Sequence, residues 1–579
     1  MLKLLCLMTQ KERRMLVCSV GLIVMQVWLD LKMPEYMSTI TTLVQTPGSE
    51  MADILWNGGY MLLCAVFSMA AAMVTHYFVS RIAAGFSMTL REKVFKQILS
   101  FESQELGRFP VASLITRTTN DVAHVQLLVS MGMQAIIKAP ILLAWAILKI
   151  SGKQWQWSLA TGAAALIIVC TLALAIRIAM PKFKIMQRLL DDLNRITRES
   201  LSGIRVVRAY NAESYQEGKF EQANRAITDT SLFTNRVMSL IAPTMTFSTS
   251  AISLAIYWIG AYLIDAADKG ARMEIFSDMV VFSSYAMQVI VAFTMLTMMF
   301  LIMPRVLVSV RRIAEVLNTT PSMQNGTQKE GKAGTPAIEF QDVCFRYPGA
   351  GEDVLHHISF TAYPGETVAI VGATASGKSS LVGLIPRLYD AGSGSVLIDG
   401  VDVRSYDRET LRRKIGFAAQ KAVLFSGTVT SNVAYGCRES ADVSGALETA
   451  QALEFVSKMY GKEKARIARG GSNVSGGQRQ RLSIARALCQ KRSIYIFDDT
   501  FSALDLKTDR LLRRSLTAHT TGATKVIVAQ RIGTIMDADR ILVLENGTLV
   551  GNGRHQQLME SCEVYRETAY SQLSEEELQ

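Results

Sequence analysis

The stretch Gly372-Ala-Thr-Ala-Ser-Gly-Lys-Ser379 decides the fold of the C-terminal half of this chain. Its spacing of glycine, four residues and Gly-Lys-Ser is that of a phosphate-binding loop. The apolar run 367–371 before it predicts a buried β-strand, and 380–388 after it predicts a helix. A loop at such a junction presents backbone N–H groups and a helix N-terminus to an anion, unlike an ordinary glycine turn. The stretch therefore predicts an α/β domain that binds a nucleotide.

Two side chains at the end of this loop have the chemistry of nucleotide binding. Lys378 is expected to reach the β- and γ-phosphates of ATP, and the Ser379 hydroxyl to coordinate Mg²⁺. Ala375 stands where such loops often carry another glycine, which narrows the freedom of the backbone without removing a ligand. The loop residues predicted to contact ATP are Gly372, Ala373, Thr374, Ala375, Ser376, Gly377, Lys378, Ser379 and Ser380.

A second apolar strand ends in two consecutive acidic residues. In Ser493-Ile-Tyr-Ile-Phe-Asp-Asp-Thr500 the strand delivers Asp498 and Asp499 to the predicted nucleotide site. Asp498 is expected to hold Mg²⁺ beside an ATP phosphate. The meaning of Asp499 depends on the motifs around this pair.

Further motifs occur in a fixed order around these two stretches. Ser475-Gly-Gly-Gln-Arg-Gln-Arg481 opens an amphipathic helix, and Phe417-Ala-Ala-Gln420 lies between it and the phosphate loop. Phe345-Arg-Tyr-Pro348 precedes the loop, and Ser502-Ala-Leu-Asp505 follows the acidic pair. Any one of these motifs could be a coincidence, but the ordered set resembles the ATP-binding cassette (ABC) family.

The resemblance assigns roles to individual residues. It implies that Tyr347 stacks on the adenine and that Mg²⁺ has ligands at Ser379, Gln420 and Asp498. In this family two nucleotide domains close head to tail, so each ATP lies between the phosphate loop of one and the signature of the other. The residues thereby added to the ATP-contacting set are the signature residues Ser475, Gly476, Gly477 and Gln478, which face a partner's ATP, and Asp505 of the D-loop.

Two candidate catalytic positions depart from the family pattern. Members that hydrolyse ATP efficiently carry Glu after the magnesium-binding Asp and a His near the end of a later strand, where this chain has Asp499 and Gln530. The carboxylate is pulled back by roughly one C–C bond, and an error of ~1 Å in catalytic geometry can cost on the order of a hundredfold in rate. Gln530 can hydrogen-bond a phosphate but cannot carry the charge available to His. We expect this site to hold ATP and hydrolyse it slowly.

The first part of the chain has a different composition. All tryptophans of the chain lie before residue 320. The same part holds six apolar runs, each near or above the ~20 residues that a helix needs to cross a bilayer. Buried helices of a soluble protein could explain one such run, but not six. The predicted spans are 15–39, 57–80, 127–149, 157–179, 237–264 and 276–303.

The expected fold class is an all-α six-helix transmembrane domain of the ABC exporter type, followed by an α/β P-loop nucleotide-binding domain. Residues 1–320 form the transmembrane domain, which has long cytoplasmic loops, and residues 337–579 form the nucleotide-binding domain. The linker 321–336 is rich in Thr, Gly, Lys and Gln, a composition that suits a flexible tether.

Positive charge predicts the orientation of the spans. Basic residues are concentrated before the first span and after the second and fourth, whereas the opposite loops are short and mixed in charge. This places both termini and the nucleotide-binding domain in the cytoplasm of a multi-pass protein of the cell (plasma) membrane. The net charge of +11 then reflects membrane topology and does not indicate nucleic acid as a partner.

The two long cytoplasmic loops keep a helical period. Small helices at their turns, near 101–108 and 209–216, are expected to dock on nucleotide domains. Four aromatic residues are candidate anchors, and packing within the loops is the equally weighted alternative. These residues are Phe101, Phe109, Tyr210 and Tyr215.

The spans offer few clues to a substrate. Asp30 could attract a cation, although a pairing with Lys32 or with an adjacent helix is the reading that we favour. The sixth span concentrates methionines, which adapt to varied hydrophobic ligands, but lipid-facing or core packing explains the same stripe. The stripe comprises Met287, Phe293, Met295, Met298, Met299, Phe300 and Met303.

The resemblance implies an ATP hydrolase coupled to the export of hydrophobic or amphiphilic, drug-like small molecules. By resemblance, the paired loss at Asp499 and Gln530 marks the degenerate-site subunit of bacterial heterodimeric multidrug exporters. Its cofactors are ATP and Mg²⁺, and its partners are a second ABC half-transporter, membrane lipid and a small hydrophobic substrate. The alternatives are a homodimeric exporter of lipid or peptide and an ATP-gated regulator or channel of the same architecture.

Overall fold

The structure is a computed structural model that describes residues 8–46, 48–151, 154–268, 271–437 and 441–574. It divides into two compact units. The helical unit comprises Met1–Leu99 and Val111–Thr319, and the α/β unit comprises Ser100–Pro110 and Thr320–Gln579.

The helical unit consists of long helices joined by short turns. Among the described residues, six stretches are long and apolar enough to cross a membrane, which confirms the predicted number of spans: Gln10–Gln45, Met51–Ser100, Val111–Ser151, Trp155–Ser202, Glu213–Ala266 and Arg272–Met299. The helices of the unit are α1 (Gln10–Gln45), α2 (Met51–Ser100), α4 (Val111–Thr118), α5 (Asn120–Gly132), a π-helix (Met133–Lys138), α6 (Ala139–Ser151), α7 (Trp155–Ser202), α8 (Ile204–Ala209), α9 (Glu213–Ser239), α10 (Ile241–Ala266) and α11 (Arg272–Asn318), while α3 (Ser103–Arg108) belongs to the α/β unit.

The two predicted docking helices differ in outcome. A short helix, α3, forms within 101–108, and the rings of Phe101 and Phe109 on either side of it are buried and stacked at 5.8 Å. The second region contains a turn, because α8 ends at Ala209 and α9 begins at Glu213. Asn211 within that turn has φ +49°, a left-handed conformation that ends a helix.

The described residues of the α/β unit form twelve strands in three sheets. The order is β2-β1-β4-β5 in the first sheet, β12-β11-β3-β10-β9-β6 in the second and β7-β8 in the third. The strands are β1 (Ile338–Phe345), β2 (Leu355–Ala362), β3 (Thr367–Gly372), β4 (Ser393–Ile398), β5 (Val401–Asp402), β6 (Ile415–Ala418), β7 (Gly427–Thr428), β8 (Arg466–Ile467), β9 (Ile494–Asp498), β10 (Thr524–Val528), β11 (Arg540–Glu545) and β12 (Thr548–Gly553).

The α-helices of this unit flank the sheets. They are α12 (Lys378–Leu384), α13 (Arg408–Arg413), α14 (Val429–Val433), α15 (Val443–Thr449), α16 (Leu453–Lys458), α17 (Gly476–Leu488), α18 (Leu506–His519), α19 (His555–Ser561) and α20 (Glu563–Gln572). Short 3₁₀ helices lie at Lys462–Lys464, Arg469–Gly471 and Ile532–Thr534.

The second sheet separates two hydrophobic cores. Val368 and Ile370 of β3 pack into the core shared with the first sheet, whereas Ala369 and Val371 pack into the core on the opposite face. This alternation follows from the two-residue period of a strand, and burial on both faces explains why the parallel strands are continuously apolar. The strands β6, β9, β10, β3 and β11 run parallel, so their carboxyl ends meet at one edge.

The helix after the phosphate loop is shorter than predicted. It begins at Lys378 and ends at Leu384, whereas the sequence pattern predicts 380–388. Pro386 explains the early end, because proline donates no N–H and its ring clashes with the carbonyl four residues earlier. Arg387 then has φ +53°, outside the helical region.

The segment 321–336 is not a free tether, so that part of the prediction is wrong. The N–H groups of Gly326, Gln328 and Lys332 donate to the carbonyls of Tyr406, Ser405 and Asp399 at 3.1, 3.0 and 2.8 Å. A Cβ atom on Gly326 would lie 2.1 Å from the Ser405 carbonyl oxygen. Glycine, which suggests flexibility in the sequence, here permits close packing of two backbones.

Candidate functional site

The phosphate loop is shaped by residues that tolerate unusual backbone geometry. A Cβ atom on Gly372 would lie 2.1 Å from the carbonyl oxygen of Leu544, so only glycine fits at the end of β3. Gly377 has φ +96° and Ala375 has φ +67°. The left-handed conformation costs an alanine roughly 1–2 kcal/mol, so the missing glycine at position 375 introduces strain into the loop.

Lys378 lies inside the loop. Its Nζ donates to the carbonyl oxygens of Gly372 and Ala373 at 2.8 and 2.6 Å and to Ser376 Oγ at 3.3 Å. Burial lowers the pKa of Lys378, and the nearby charges of Asp499 and Asp498 oppose this shift. A buried ammonium in a loop of this shape can donate charge-assisted hydrogen bonds to a phosphate.

Ser379 and Asp498 form the oxygen pair predicted for Mg²⁺. The Ser379 hydroxyl donates to Asp498 Oδ1 at 3.0 Å. Burial raises the pKa of Asp498, and Asp499 adds to the shift, whereas Ser379 and Lys378 oppose it. Magnesium takes oxygen ligands, and a hydroxyl beside a buried carboxylate matches that preference. The residues present therefore fit the expected metal ion.

Asp499 is the centre of a cluster that spacing alone does not reveal. Its Oδ2 accepts from Gln530 Nε2 at 2.9 Å and from Gln420 Nε2 at 3.3 Å. The three residues meet because β6, β9 and β10 are adjacent parallel strands, and each residue follows the carboxyl end of one of them. Gln420, predicted as a ligand of Mg²⁺, thus directs its amide to Asp499.

The backbone fixes the direction of Asp499. The residue is buried, with φ +49°, and its N–H donates to the Val528 carbonyl at 3.0 Å. Its own carbonyl accepts from the Ser502 hydroxyl at 2.9 Å. A carboxylate on such a constrained backbone has little freedom to reach further into the site.

Tyr347 lies beside the phosphate loop. Its hydroxyl is 2.8 Å from Ser380 Oγ, and its ring is perpendicular to those of Phe345 and Tyr389, at 4.9 and 5.2 Å. These neighbours hold the ring that the resemblance assigns to adenine. Tyr389 was not predicted as a site residue, and no spacing rule points to it, because tertiary packing alone brings it to Tyr347.

The signature residues form the N-terminus of α17. The Gln478 N–H donates to Ser475 Oγ at 3.3 Å, and the Ser475 N–H donates to Gln478 Oε1 at 2.9 Å, which completes a capping box. Gly476 has open space around its Cα, and a Cβ on Gly477 would lie 3.3 Å from the Ala503 carbonyl oxygen. No hydrogen bond between described residues links this segment to the phosphate loop of the same chain.

Asp505 caps α18. Its carboxylate accepts from the Thr508 N–H at 3.0 Å, and this hydrogen bond lowers its pKa. The residue therefore orients the D-loop and the helix that follows.

The segment before α3 is held by an ion-pair cluster within the α/β unit. The Glu102 carboxylate pairs with the Arg408 guanidinium and, at 3.0 Å, with that of Arg412. Arg412 also donates to the carbonyl oxygens of Pro386 and Arg387, which follow the phosphate-loop helix. This arrangement ties the segment to the element that carries Lys378.

Charged residues in the spans form ion pairs, some between helices and one within α1. Asp30 accepts from Ser68 Oγ at 2.5 Å and pairs with Lys138 of the π-helix at 3.5 Å. Lys32 instead pairs with Glu35 at 2.5 Å. Of the two pairings predicted for Asp30, the structure thus has the one with an adjacent helix. Lys149 also pairs with Glu35, at 2.5 Å.

The methionine stripe on α11 is divided. Met299 is buried, whereas Met287 and Met298 are 41% and 58% exposed. Phe300, also assigned to the stripe, has a side chain outside the described part of the structure. Tyr210 and Tyr215, the other candidate anchors, are 80% and 71% exposed.

Comparisons with known proteins agree with these observations. Residues 16–302 match the ABC transporter transmembrane region, and residues 355–502 match the ABC transporter family. An uncharacterized ABC transporter ATP-binding protein of Mycobacterium tuberculosis (strain ATCC 25618 / H37Rv) is 39% identical over 93% of both chains. The similarly uncharacterized YfiB of Bacillus subtilis (strain 168) is 35% identical over 90% of both.

Two further proteins extend the comparison. An ATP-dependent lipid A-core flippase of Pseudomonas putida is 30% identical over 86% of this chain and 82% of its own length. The solved structure of a bacterial Atm1-family ABC exporter with ATP bound has a TM-score of 0.80 and 24% identity, covering 97% of this chain and 100% of that one. That likeness shows the fold. The chain belongs to the ABC transporter family and carries a transmembrane region and an ATP-binding domain in one polypeptide.

Proposed function

We propose that this chain is the catalytically weaker subunit of a heterodimeric exporter that moves hydrophobic or amphiphilic small molecules. The observation that carries the proposal is the position of Asp499. Its carboxylate is one methylene shorter than the glutamate typical of hydrolytic family members, and Gln420 and Gln530 both donate to the same oxygen. Two neutral amides therefore engage the group that must orient the attacking water.

The binding part of the site supports retention of ATP. Lys378 would hold the β- and γ-phosphates, and Ser379 with Asp498 would hold Mg²⁺. Bound Mg–ATP supplies the phosphoryl group and the negative charge that the closed site stabilises. Gln530 can donate a hydrogen bond to that charge but brings no positive charge. The losses thus fall on hydrolysis and leave binding in place.

The intact signature supports a role in a second site. The capping box at Ser475 and Gln478 leaves the first N–H groups of α17 oriented for an anion from outside this chain's own loop. In a head-to-tail pair, Ser475 to Gln478 complete the partner's site, where most hydrolysis would occur. We also propose that the nucleotide-binding domain and both termini lie in the cytoplasm, which the concentration of basic residues before the first span and after the second and fourth supports.

The substrate class rests on the family resemblance more than on any residue of the spans. The exposed methionines Met287 and Met298 suit a hydrophobic ligand, but their exposure also suits lipid. A homodimeric lipid exporter is the second candidate, because the relatives at 30% identity include lipid A-core flippases. The two candidates differ in their requirement for a second gene product.

Affinity purification of this chain from its native membrane tests the proposal. A second half-transporter should co-purify in equal amount, with Glu and His at the positions of Asp499 and Gln530. Reconstituted in vesicles, the pair should move a fluorescent amphiphile in an ATP-dependent way. Recovery of this chain alone, with transport by the homodimer, would favour the lipid exporter instead. Nucleotide-dependent conformational change without transport would favour a regulator or channel.

A further inference from the structure

A second cavity lies in the α/β unit, on the opposite edge of the sheet from the phosphate loop. It has a volume of about 450 Å³ and is bounded by α18, by the first residues of β3 and β10, and by the segment 533–538. Thr367 and Lys525 begin their parallel strands there, whereas Gly372 and Asp498 end theirs at the nucleotide site. The cavity is therefore separate from the residues assigned to ATP.

The lining of this cavity is strongly basic. Its charged side chains are Arg510, Arg513, Arg514, Lys525 and Asp537. Arg513 pairs with Asp537 at 3.8 Å and with the buried Asp509, behind it, at 3.4 Å. Both carboxylates pair with Arg513, and the charge of Arg510 also acts on Asp509. Most of the positive charge in the cavity belongs to side chains other than Arg513.

Three of the basic side chains have no such partner. Within the described part of the chain, those of Arg510, Arg514 and Lys525 form no hydrogen bond or ion pair. The carboxylate whose charge acts on Lys525, that of Asp539, accepts the Thr367 N–H at 2.9 Å. Burial lowers the pKa of Lys525, and the charge of Asp539 opposes this shift. A partly buried ammonium without an ion-pair partner, beside two guanidinium groups, favours an anion.

We propose that this cavity binds a phosphate-bearing small molecule of up to mononucleotide size. Its volume is within the usual range of ~300–1,000 Å³ for small-molecule sites and is too small for a folded partner. Guanidinium forks match phosphate oxygens in a bidentate manner, which distinguishes phosphate from a halide. The buried rings and aliphatic groups of Phe497, Leu516 and Ile527 form an apolar floor for the organic part of the ligand.

Two chain segments connect the cavity to the nucleotide site. Arg510 and Arg514 are on α18, which begins directly after Asp505 of the D-loop. The opposite wall, 533–538, follows Gln530 by only a few residues, and Arg513 already joins the two walls through the Thr534 carbonyl at 3.3 Å. A phosphate between the walls would hold the D-loop helix and the Gln530 segment in one arrangement. The ligand would thereby tune ATP turnover, an effect that rests on the proposed function.

Binding of inorganic pyrophosphate tests the site directly. The full-length chain is first saturated with Mg²⁺ and a non-hydrolysable ATP analogue, so that the phosphate loop is filled, and is then titrated by calorimetry. We expect one saturable site, with affinity at least tenfold weaker in R510Q/R514Q and in K525M. The control K329Q/K332Q removes two exposed lysines of the same unit, away from the cavity, and should bind as the unmodified chain does.

The outcomes separate this site from the proposed function. Absence of saturable pyrophosphate binding, or equal binding by the control and by both cavity variants, would overturn the proposal. Matching thermal unfolding of the variants without ligand excludes misfolding as the cause of weaker binding. If the chain shows no ATP turnover at all, the calorimetric result still decides whether the cavity binds phosphate.

Discussion

The combined change Asp499→Glu and Gln530→His should raise ATP hydrolysis at this chain's own site. The left-handed backbone of Asp499, with φ +49°, limits how far its carboxylate reaches into the site. Its Oδ2 accepts hydrogen bonds from the amides of Gln530 and Gln420. Glutamate extends the carboxylate by about 1.5 Å, one C–C bond. Histidine removes the closer amide, at 2.9 Å, and offers a group that can carry positive charge.

The size of the effect follows from geometry. A misplacement of ~1 Å costs on the order of a hundredfold in rate, so recovery of most of that distance should give a ~10- to 100-fold gain in kcat. This gain equals about 1.4–2.7 kcal/mol of transition-state stabilisation. The Kd for ATP should change little, since Lys378, Ser379 and Asp498 are untouched.

The assay is steady-state phosphate release by the assembled transporter in nanodiscs, with the partner's own phosphate-loop lysine replaced so that only this site can turn over. Equilibrium binding of a fluorescent ATP analogue is measured on the same samples. Asp499→Asn is the matched control, because it keeps the side-chain length and removes the charge, and it should not increase turnover.

Turnover within twofold of the unmodified protein, with ATP binding intact, would contradict this prediction. It would mean that neither the reach of the carboxylate nor the neutral Gln530 limits this site. An equal gain from Asp499→Asn would also refute it, because asparagine cannot act as the orienting base.

Three other changes have defined outcomes. Tyr347→Ala should weaken binding of the ATP analogue ~5- to 10-fold, because the stacking of the ring is lost. Tyr347→Phe keeps the ring and should bind the analogue normally. A larger loss of affinity in the phenylalanine variant would contradict the stacking role. Burial raises the pKa of Asp498 in the folded state, so the protonated carboxyl contributes stability at acidic pH, and this contribution is lost as pH rises through that pKa. Asp498→Asn should therefore raise the unfolding temperature of the nucleotide-free chain at neutral pH. The difference in unfolding temperature between the variant and the unmodified chain should shrink towards pH ~4. In the membrane spans, Asp30→Asn or Lys138→Met alone should lower the free energy of unfolding by ~2–3 kcal/mol, because each leaves one charge without its partner. The double variant should recover most of that stability. Additive losses of stability, measured by unfolding in detergent, would exclude the ion pair.

The local elements of the fold could be predicted because their signals are local. The six apolar runs and the strand–loop–helix around Lys378 depend on composition and short spacing. Two local predictions were wrong, the length of the helix after the phosphate loop and the flexibility of the segment 321–336, and each error has its cause in a particular residue. Pro386 ends the helix after the loop, and Gly326 allows the segment 321–336 to lie against Ser405.

The arrangement of the site could be predicted only in part. Sequence order gives Asp499, Gln420 and Gln530 as separate departures or motifs, but their convergence depends on the order β10-β9-β6 in the sheet. The partner of Asp30 depends in the same way on helix packing, because Lys138 is far away in sequence and reaches Asp30 from a π-helix. Period and propensity carry no information about such long-range neighbours.

The most direct test of the central claim is the rate of ATP hydrolysis by the purified chain alone, compared with the same chain assembled with its co-purified partner. We expect the chain alone to bind ATP but to hydrolyse it near the background rate, and the assembled pair to hydrolyse it briskly. Brisk hydrolysis by the chain alone, at a rate that the partner does not increase, would contradict the claim that this half of the transporter holds ATP and turns it over slowly.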